Sequence, residues 1–188
     1  MKLYNTLAGE VEEFVPSDGQ SVKMYICGVT PYSSTHVGHA LSYVAFDVLR
    51  RYLEHLGYTV RHVQNFTDVD DKIIQRAAAE GRPWRRHAAV FESRFMQDMQ
   101  ALGVRPPHHI VRVSEHIATI VQHIQDIEAA GLTYRTPTGL YFDVGAFPGT
   151  YGKLRANSAH AEQESTTNTT VGASDKRSPA DFALWKAA

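Results

Sequence analysis

The stretch from Cys27 to His39 constrains this chain most, because it joins a strand-like segment to a helical one and concentrates reactive residues between them. Val22, Met24 and Ile26 alternate with Lys23 and Tyr25, the two-residue period of a strand over Ser21 to Ile26. Leu41, Val44, Ala45, Val48, Leu49, Tyr52, Leu53 and Leu56 then recur at helical spacing, and Gly57 stands where a C-cap glycine belongs. Val60 to Phe66 reads as a second strand. Strand, helix, strand is a βαβ unit, whose strands pair in parallel through a right-handed crossover. Open α/β sheets bind ligands beyond the C-terminal ends of their strands, and a helix that starts there offers free N–H groups and partial positive charge to an anion. At helical spacing His36 and His39 share a face, and Gly38 between them leaves the backbone approachable.

Around this unit the pattern is less dense. Leu3 to Leu7 reads as a short strand that Glu10 to Phe14 extends or pairs with, before a turn at Pro16-Ser17-Asp18-Gly19. Asp68 to Ala79 predicts a helix stopped by Gly81, and Pro83 opens another that runs to Leu102. Gly103 to His109, with Pro106-Pro107, reads as irregular. Ser114 is placed to cap a further helix with the apolar stripe Ile117, Ile120, Val121, Ile124 and Ile127, ended by Gly131. Leu132 to Thr136 and Leu140 to Val144 flank a hairpin turn. Arg155 to Ser178 shifts to Ser, Thr, Asn, Gln and Ala and reads as a mobile loop; Pro179 to Ala188 regains apolar character at Phe182, Leu184 and Trp185, an apolar edge of the parallel sheet.

Composition bounds the function classes. A chain of 188 residues suits one domain, or one domain with an insertion. A net charge of −1 gives no overall field that draws in nucleic acid, so any RNA contact is a local patch or lies elsewhere. One cysteine excludes an internal disulfide framework and fits a reducing compartment. No apolar run reaches the ~20 residues of a membrane span, and the N-terminus lacks the core of a signal peptide; the expected setting is cytoplasmic, without membrane contact.

Each reactive group carries a plain reading beside a chemical one. His36 and His39 serve either as helix-capping or core histidines, or as imidazole donors to a phosphate that gains charge during adenylate formation. Cys27 is either a small buried hydrophobe at a strand end, or a metal thiolate or nucleophile; a zinc site needs about four ligands, and no second cysteine exists. Asp68, Asp70 and Asp71 are able to hold Mg²⁺, but Asp70 and Asp71 fit helix N-capping better. Thr67 ends a parallel strand, where such sheets place ligands. His116 and His123 border the apolar stripe of their helix and read as solvated; Trp84 and Trp185 read as packing residues.

At these residues the sequence resembles the cysteine–tRNA ligases, a family of class I aminoacyl-tRNA synthetases. Leu3-Tyr4-Asn5-Thr6-Leu7 is similar to the family's N-terminal strand, and Met24 to Thr30 to its substrate loop. His36-Val37-Gly38-His39 matches the class I HIGH tetrad. Tyr58 to Lys72, Tyr151 to Leu154 and Lys176 to Lys186 continue the likeness, so it covers nearly the whole chain, with the polar loop its poorest part. The variant loop Thr30 to Thr35 departs from most members, which place aspartate near Ser33, and resembles as well the ligase that joins cysteine to glucosaminyl-inositol in mycothiol synthesis.

The resemblance implies an α/β, Rossmann-like parallel sheet, incomplete here, with the start of a connective insertion. Residues 1–131 would be the N-terminal half of the catalytic domain, 132–178 a connective hairpin and polar loop, and 179–188 the start of the remainder. It implies ATP-dependent activation of L-cysteine and transfer to the acceptor end of tRNA(Cys). His36, Gly38 and His39 would contact ATP, with His36 and His39 catalytic. Gly28 and Thr67 would line the cysteine site, and Cys27 would be one of four ligands to a Zn²⁺ that binds the substrate thiolate. The other ligands, the KMSKS lysine loop and the anticodon-reading domain are expected outside this sequence. The chain would then be inactive alone, and open to completion by a separately encoded C-terminal half. Two other readings stand beside it: the mycothiol-pathway cysteine ligase and a non-catalytic nucleotide-binding fragment.

Overall fold

Burial alternates along β4 (Thr59–Phe66), where Val60, His62, Gln64 and Phe66 are buried and the residues between them are not. That alternation marks a strand covered on one face. β4 is the middle strand of a parallel sheet, with β3 (Ser21–Ile26) on one side and β5 (His109–Arg112) on the other. Helix α1 (Val37–His55) connects β3 to β4; α2 (Asp71–Ala79) and α3 (Trp84–Ala101) connect β4 to β5. The structure is a computed structural model that describes residues 1–149, 151–154 and 175–187. They form two compact units, Val15–Ile117 and Met1–Phe14 with Ala118–Ala188.

In the first unit, Ile26, Val29, Tyr43, Phe66, Phe95 and Met99 make the core. Phe66 meets Phe95 edge-on at 5.6 Å between ring centres, and Phe95 meets Tyr43 likewise at 4.9 Å, so α1 and α3 lie on the same face of the sheet. β5 falls partly inside the stretch expected to be irregular. His108 starts it by donating its backbone N–H to the His62 carbonyl at 2.9 Å, a long-range pairing that the local Pro106-Pro107 signal conceals. The apolar periodicity of α1 also divides differently from expectation. Tyr43, Arg50 and Leu53 are buried, whereas Leu41 is 73% exposed and Val44, Val48 and Tyr52 are exposed too. Arg50 occupies the buried side because its guanidinium finds partners there, Glu54 at 3.0 Å and the Pro106 carbonyl at 2.8 Å.

Helix α2 begins later than the pattern suggested. Asp70 is its N-cap, accepting from the Lys72 N–H at 2.8 Å. Asp68, buried before it, accepts from the backbone N–H of Ser114 at 3.0 Å and from the Ser114 hydroxyl. Ser114 is thereby spent on Asp68 and does not cap the following helix, α4 (Ile117–Ala129), which a short 3₁₀ turn at Val113–Glu115 precedes.

In the second unit, β1 (Lys2–Asn5) and β2 (Glu10–Glu13) form an antiparallel hairpin. β6 (Thr133–Thr136), β7 (Gly139–Phe142) and β8 (Phe182–Lys186) form an antiparallel sheet. The apolar stretch at Phe182 to Trp185 is therefore not an edge of the parallel sheet; it is β8, paired with β7. Buried Asp181 sets the entry to β8, accepting from Tyr134 Oη at 2.8 Å, Ser178 N at 2.9 Å and Val144 N at 3.0 Å. Of the expected mobile loop, residues 155–174 lie outside the described residues. Among the described residues no helix is long and apolar enough to cross a membrane.

Candidate functional site

The C-terminal ends of β3 and β4 are locked together by one side chain, that of Asn65. Its Oδ1 accepts from Gly28 N at 2.7 Å and from Tyr25 Oη at 2.9 Å, while its Nδ2 donates to Thr67 Oγ1 at 3.3 Å. Thr67 N donates to the Val29 carbonyl at 3.1 Å. Gly28 is required by close approach: a Cβ there would fall 1.4 Å from the Asn65 carbonyl oxygen. Gly28 and Thr67 thus meet at one strand-end junction. Cys27 lies beside it and is exposed rather than buried, against the plain reading of a lone cysteine. Tyr43 Oη donates to the Cys27 carbonyl at 2.9 Å from within the core. Burial, and after it the charges of Cys27 and Tyr25, push the Tyr43 hydroxyl up to about 12; burial, and then Cys27, raise Tyr25 as well.

Beyond the junction the chain enters α1 through His36. Its backbone is extended, so His36 is the N-cap and not a helical residue, and the pair is not brought together by helical spacing. The two imidazoles stack instead, 3.7 Å between ring centres and 20° apart in plane. His39 N–H is shared between the His36 carbonyl at 2.9 Å and His36 Nδ1 at 3.4 Å. An accepting Nδ1 leaves the proton of neutral His36, an exposed residue, on Nε2 as a donor. Burial, and then the neighbouring His36, hold His39 below the ordinary histidine range, and its Nδ1 is buried without a hydrogen-bond partner. Gly38 permits the stack, since a Cβ there would lie 3.1 Å from the His36 ring.

The loop between the junction and the helix is held from α2 and α3. Fully buried His87 contacts the Tyr32 carbonyl through Nε2 at 3.0 Å. Arg76 and Lys72 sit over the Tyr32 ring, 4.9 and 5.5 Å from its centre.

A zinc ion does not fit the described residues by themselves. Cys27 offers a single thiolate, and among the described residues no three His, Cys, Asp or Glu side chains gather closely enough to hold a metal. Of the three carboxylates considered for Mg²⁺, Asp68 is engaged by Ser114 and Asp70 caps α2, while Asp71 is not a cap but stands in the first turn of that helix.

Residues 13–188 match the family model described as "tRNA synthetases class I (C) catalytic domain". The chain belongs to this class I synthetase family. The cysteine–tRNA ligase of Methanococcus maripaludis is 44% identical over 188 residues, which cover all of this chain and 39% of that protein. The cysteine–tRNA ligase of Pyrococcus furiosus is 46% identical over the same span, again 39% of its length. That of Archaeoglobus fulgidus is 46% identical over 40% of its length. The chain thus spans about two fifths of the curated relatives it matches. Among solved structures, Mycobacterium tuberculosis methionyl-tRNA synthetase in complex with methionyl-adenylate superposes with a TM-score of 0.57 and 25% identity, over 65% of this chain and 24% of that one. A LeuRS–tRNA–LeuAMS complex from Agrobacterium radiobacter, at 19% identity and a TM-score of 0.54, covers 65% of this chain and 16% of that one and shares the fold.

Within this class I synthetase domain, sequence reasoning missed Asn65, Tyr43, His87 and Arg50. Asn65 had one local signal, a polar residue two positions before Thr67 near the end of an apolar strand. Tyr43 stood four residues after His39 in the helical pattern. The backbone carbonyls that hold His87 and Arg50 in the fold, those of Tyr32 and Pro106 respectively, are more than fifty residues away in sequence, and nothing local announces those contacts.

Proposed function

We propose that this chain supplies the ATP- and cysteine-facing part of a cysteine–tRNA ligase. In the first step a cysteine carboxylate oxygen attacks the α-phosphorus of ATP; the new P–O bond forms as the bond to pyrophosphate breaks. Charge then builds on the α-phosphate oxygens. The Nε2–H of exposed His36, the stacked His39 and the backbone N–H groups of Val37 and Gly38 that open α1 are the donors set to meet it. Cysteine would lie at the junction of Cys27, Gly28 and Thr67, in line with the phosphate site. Transfer to the tRNA(Cys) acceptor end, and a cytoplasmic setting, come with the family reading. The described residues do not by themselves hold zinc.

The observation that carries this reading is the stacked His36–His39 pair at the start of α1, beyond the β3 strand end. The 44–46% identity to named cysteine–tRNA ligases favours tRNA over glucosaminyl-inositol as acceptor. Its test is cysteine-dependent ATP–pyrophosphate exchange by the full-length ligase carrying these residues. His36→Ala and His39→Ala are each expected to slow exchange tenfold or more, since one lost donor at a developing charge costs above ~1.4 kcal/mol. Exchange at the unsubstituted rate in both variants refutes the assignment.

A further inference from the structure

The core between β4, α1 and α3 is not solid. It opens around a cavity of about 290 Å³ whose apolar wall includes Tyr43, Phe95, Met96, Met99 and Val104. A cavity of about half that volume accepts benzene, and ligand pockets begin near 300 Å³. Two polar side chains of β4 enter this wall, His62 and Gln64, which are only 5% and 3% exposed. Both ring nitrogens of His62 and the amide nitrogen of Gln64 are buried without a hydrogen-bond partner. Buried polar atoms are nearly always partnered, so three orphans at one cavity are an unmet recognition pattern.

The pattern restricts what fits. A neutral imidazole presents one donor and one acceptor, and the Gln64 amide nitrogen adds donors. Charged groups at the rim are already engaged: Asp47 accepts from Arg51 Nε at 2.7 Å and from Arg105 N at 3.2 Å, and the Arg105 guanidinium lies on Glu54. An ionised ligand would therefore be desolvated without a counter-charge. Flanking aromatic rings and two adaptable methionines suit a flat molecule.

We propose that this cavity is a binding site for a small uncharged heteroaromatic molecule, one or two fused rings carrying a hydrogen-bond donor beside an acceptor. The acceptor meets Gln64 and the donor–acceptor edge meets His62. Arg105 and Pro106 are exposed, so the cavity reaches solvent on that side. The site is separate from the His36–His39 pair, yet Tyr43 belongs to both regions: its ring lines the cavity and its hydroxyl holds the Cys27 carbonyl. Occupancy therefore bears on the strand end that carries Cys27.

Benzimidazole and its apolar isostere indene are the probes. Each is titrated into the ¹⁵N-labelled protein, without ATP or cysteine, while the side-chain nitrogen resonances of His62 and Gln64 are followed. Benzimidazole is expected to shift both, to bind at least tenfold more tightly than indene, and to weaken at least tenfold in Gln64→Leu. Val104→Trp, which fills the cavity, is expected to abolish binding. Equal affinity for indene overturns the proposal, since the polar atoms then recognise nothing. So does benzimidazole binding that leaves both residues unshifted, or no binding with water held at His62. The resonance shifts and the probe comparison need no variant, so a substitution that fails to fold leaves the test decisive. Neither substrate is in the assay, so failure here is distinct from failure of the ligase reading.

Discussion

Gly28→Ala is the substitution that tests the strand-end junction most directly. The added methyl would sit 1.4 Å from the Asn65 carbonyl oxygen and 2.5 Å from its carbonyl carbon, both backbone atoms, whereas real contacts stay beyond 3.0 Å. No side-chain rotation relieves this, so β3 and β4 must part at their C-terminal ends. Parting breaks the bonds from Gly28 N to Asn65 Oδ1 and from Thr67 N to the Val29 carbonyl, each worth about 1 kcal/mol net. It also disturbs Ile26, Val29 and fully buried Phe66, and overpacking of a core costs about 1–3 kcal/mol. The expected loss is about 3–5 kcal/mol, a large part of a stability of about 5–15 kcal/mol. With a urea slope of about 2 kcal/mol/M, the unfolding midpoint should fall by about 2 M. Gly38→Ala is the matched control, because its Cβ meets only the His36 ring at 3.1 Å, and a ring can turn away. A Gly28→Ala chain that unfolds within about 1 kcal/mol of the unsubstituted one, or no less stably than Gly38→Ala, refutes the close-approach argument.

Four further outcomes follow from particular groups. Burial first, then the charge of Arg50, hold His62 below its ordinary 6.5, and His39 is lowered too, so the unfolded chain takes up protons first; stability is kept above pH 6.5 and lost as pH falls below it, read from urea midpoints against pH. Tyr43 has the opposite sign of dependence: raised from 10.0 to about 12, it contributes stability below pH 10 that is lost between 10 and 12, and Tyr43→Phe should flatten that limb. Asp181→Asn turns one acceptor into a donor facing the N–H groups of Ser178 and Val144 and the Tyr134 hydroxyl; it should cost about 2–4 kcal/mol, and those two amides should lose hydrogen-exchange protection, whereas unchanged protection would show that Asp181 does not hold β8. Elemental analysis of the purified 188-residue chain should find zinc well below one per chain, and a full equivalent would mean that ligands near Cys27 have been misread.

Local pattern by itself determined the βαβ unit. Two-residue alternation over Ser21 to Ile26, helical spacing after Ala40 and the stop at Gly57 depend only on neighbours in sequence, as do the Asp70 cap and the hairpin around Gly139. The HIGH-like tetrad placed His36 and His39 at a helix start for the same reason. Tertiary structure decided the rest, because it depends on partners that no window of sequence contains. β5 exists through pairing with β4, forty-six residues earlier, and local prolines argued against it. The stripe of α1 shows a repeat but not which side the sheet takes; Arg50 is buried because Glu54 and Pro106 receive it, and Leu41 is left outside. Asn65 becomes the clamp of the strand ends only when β3 lies beside it. The stacked imidazoles, the thiol at an exposed strand end and the orphaned nitrogens of His62 and Gln64 are likewise properties of three-dimensional packing, where distance in space replaces distance along the chain.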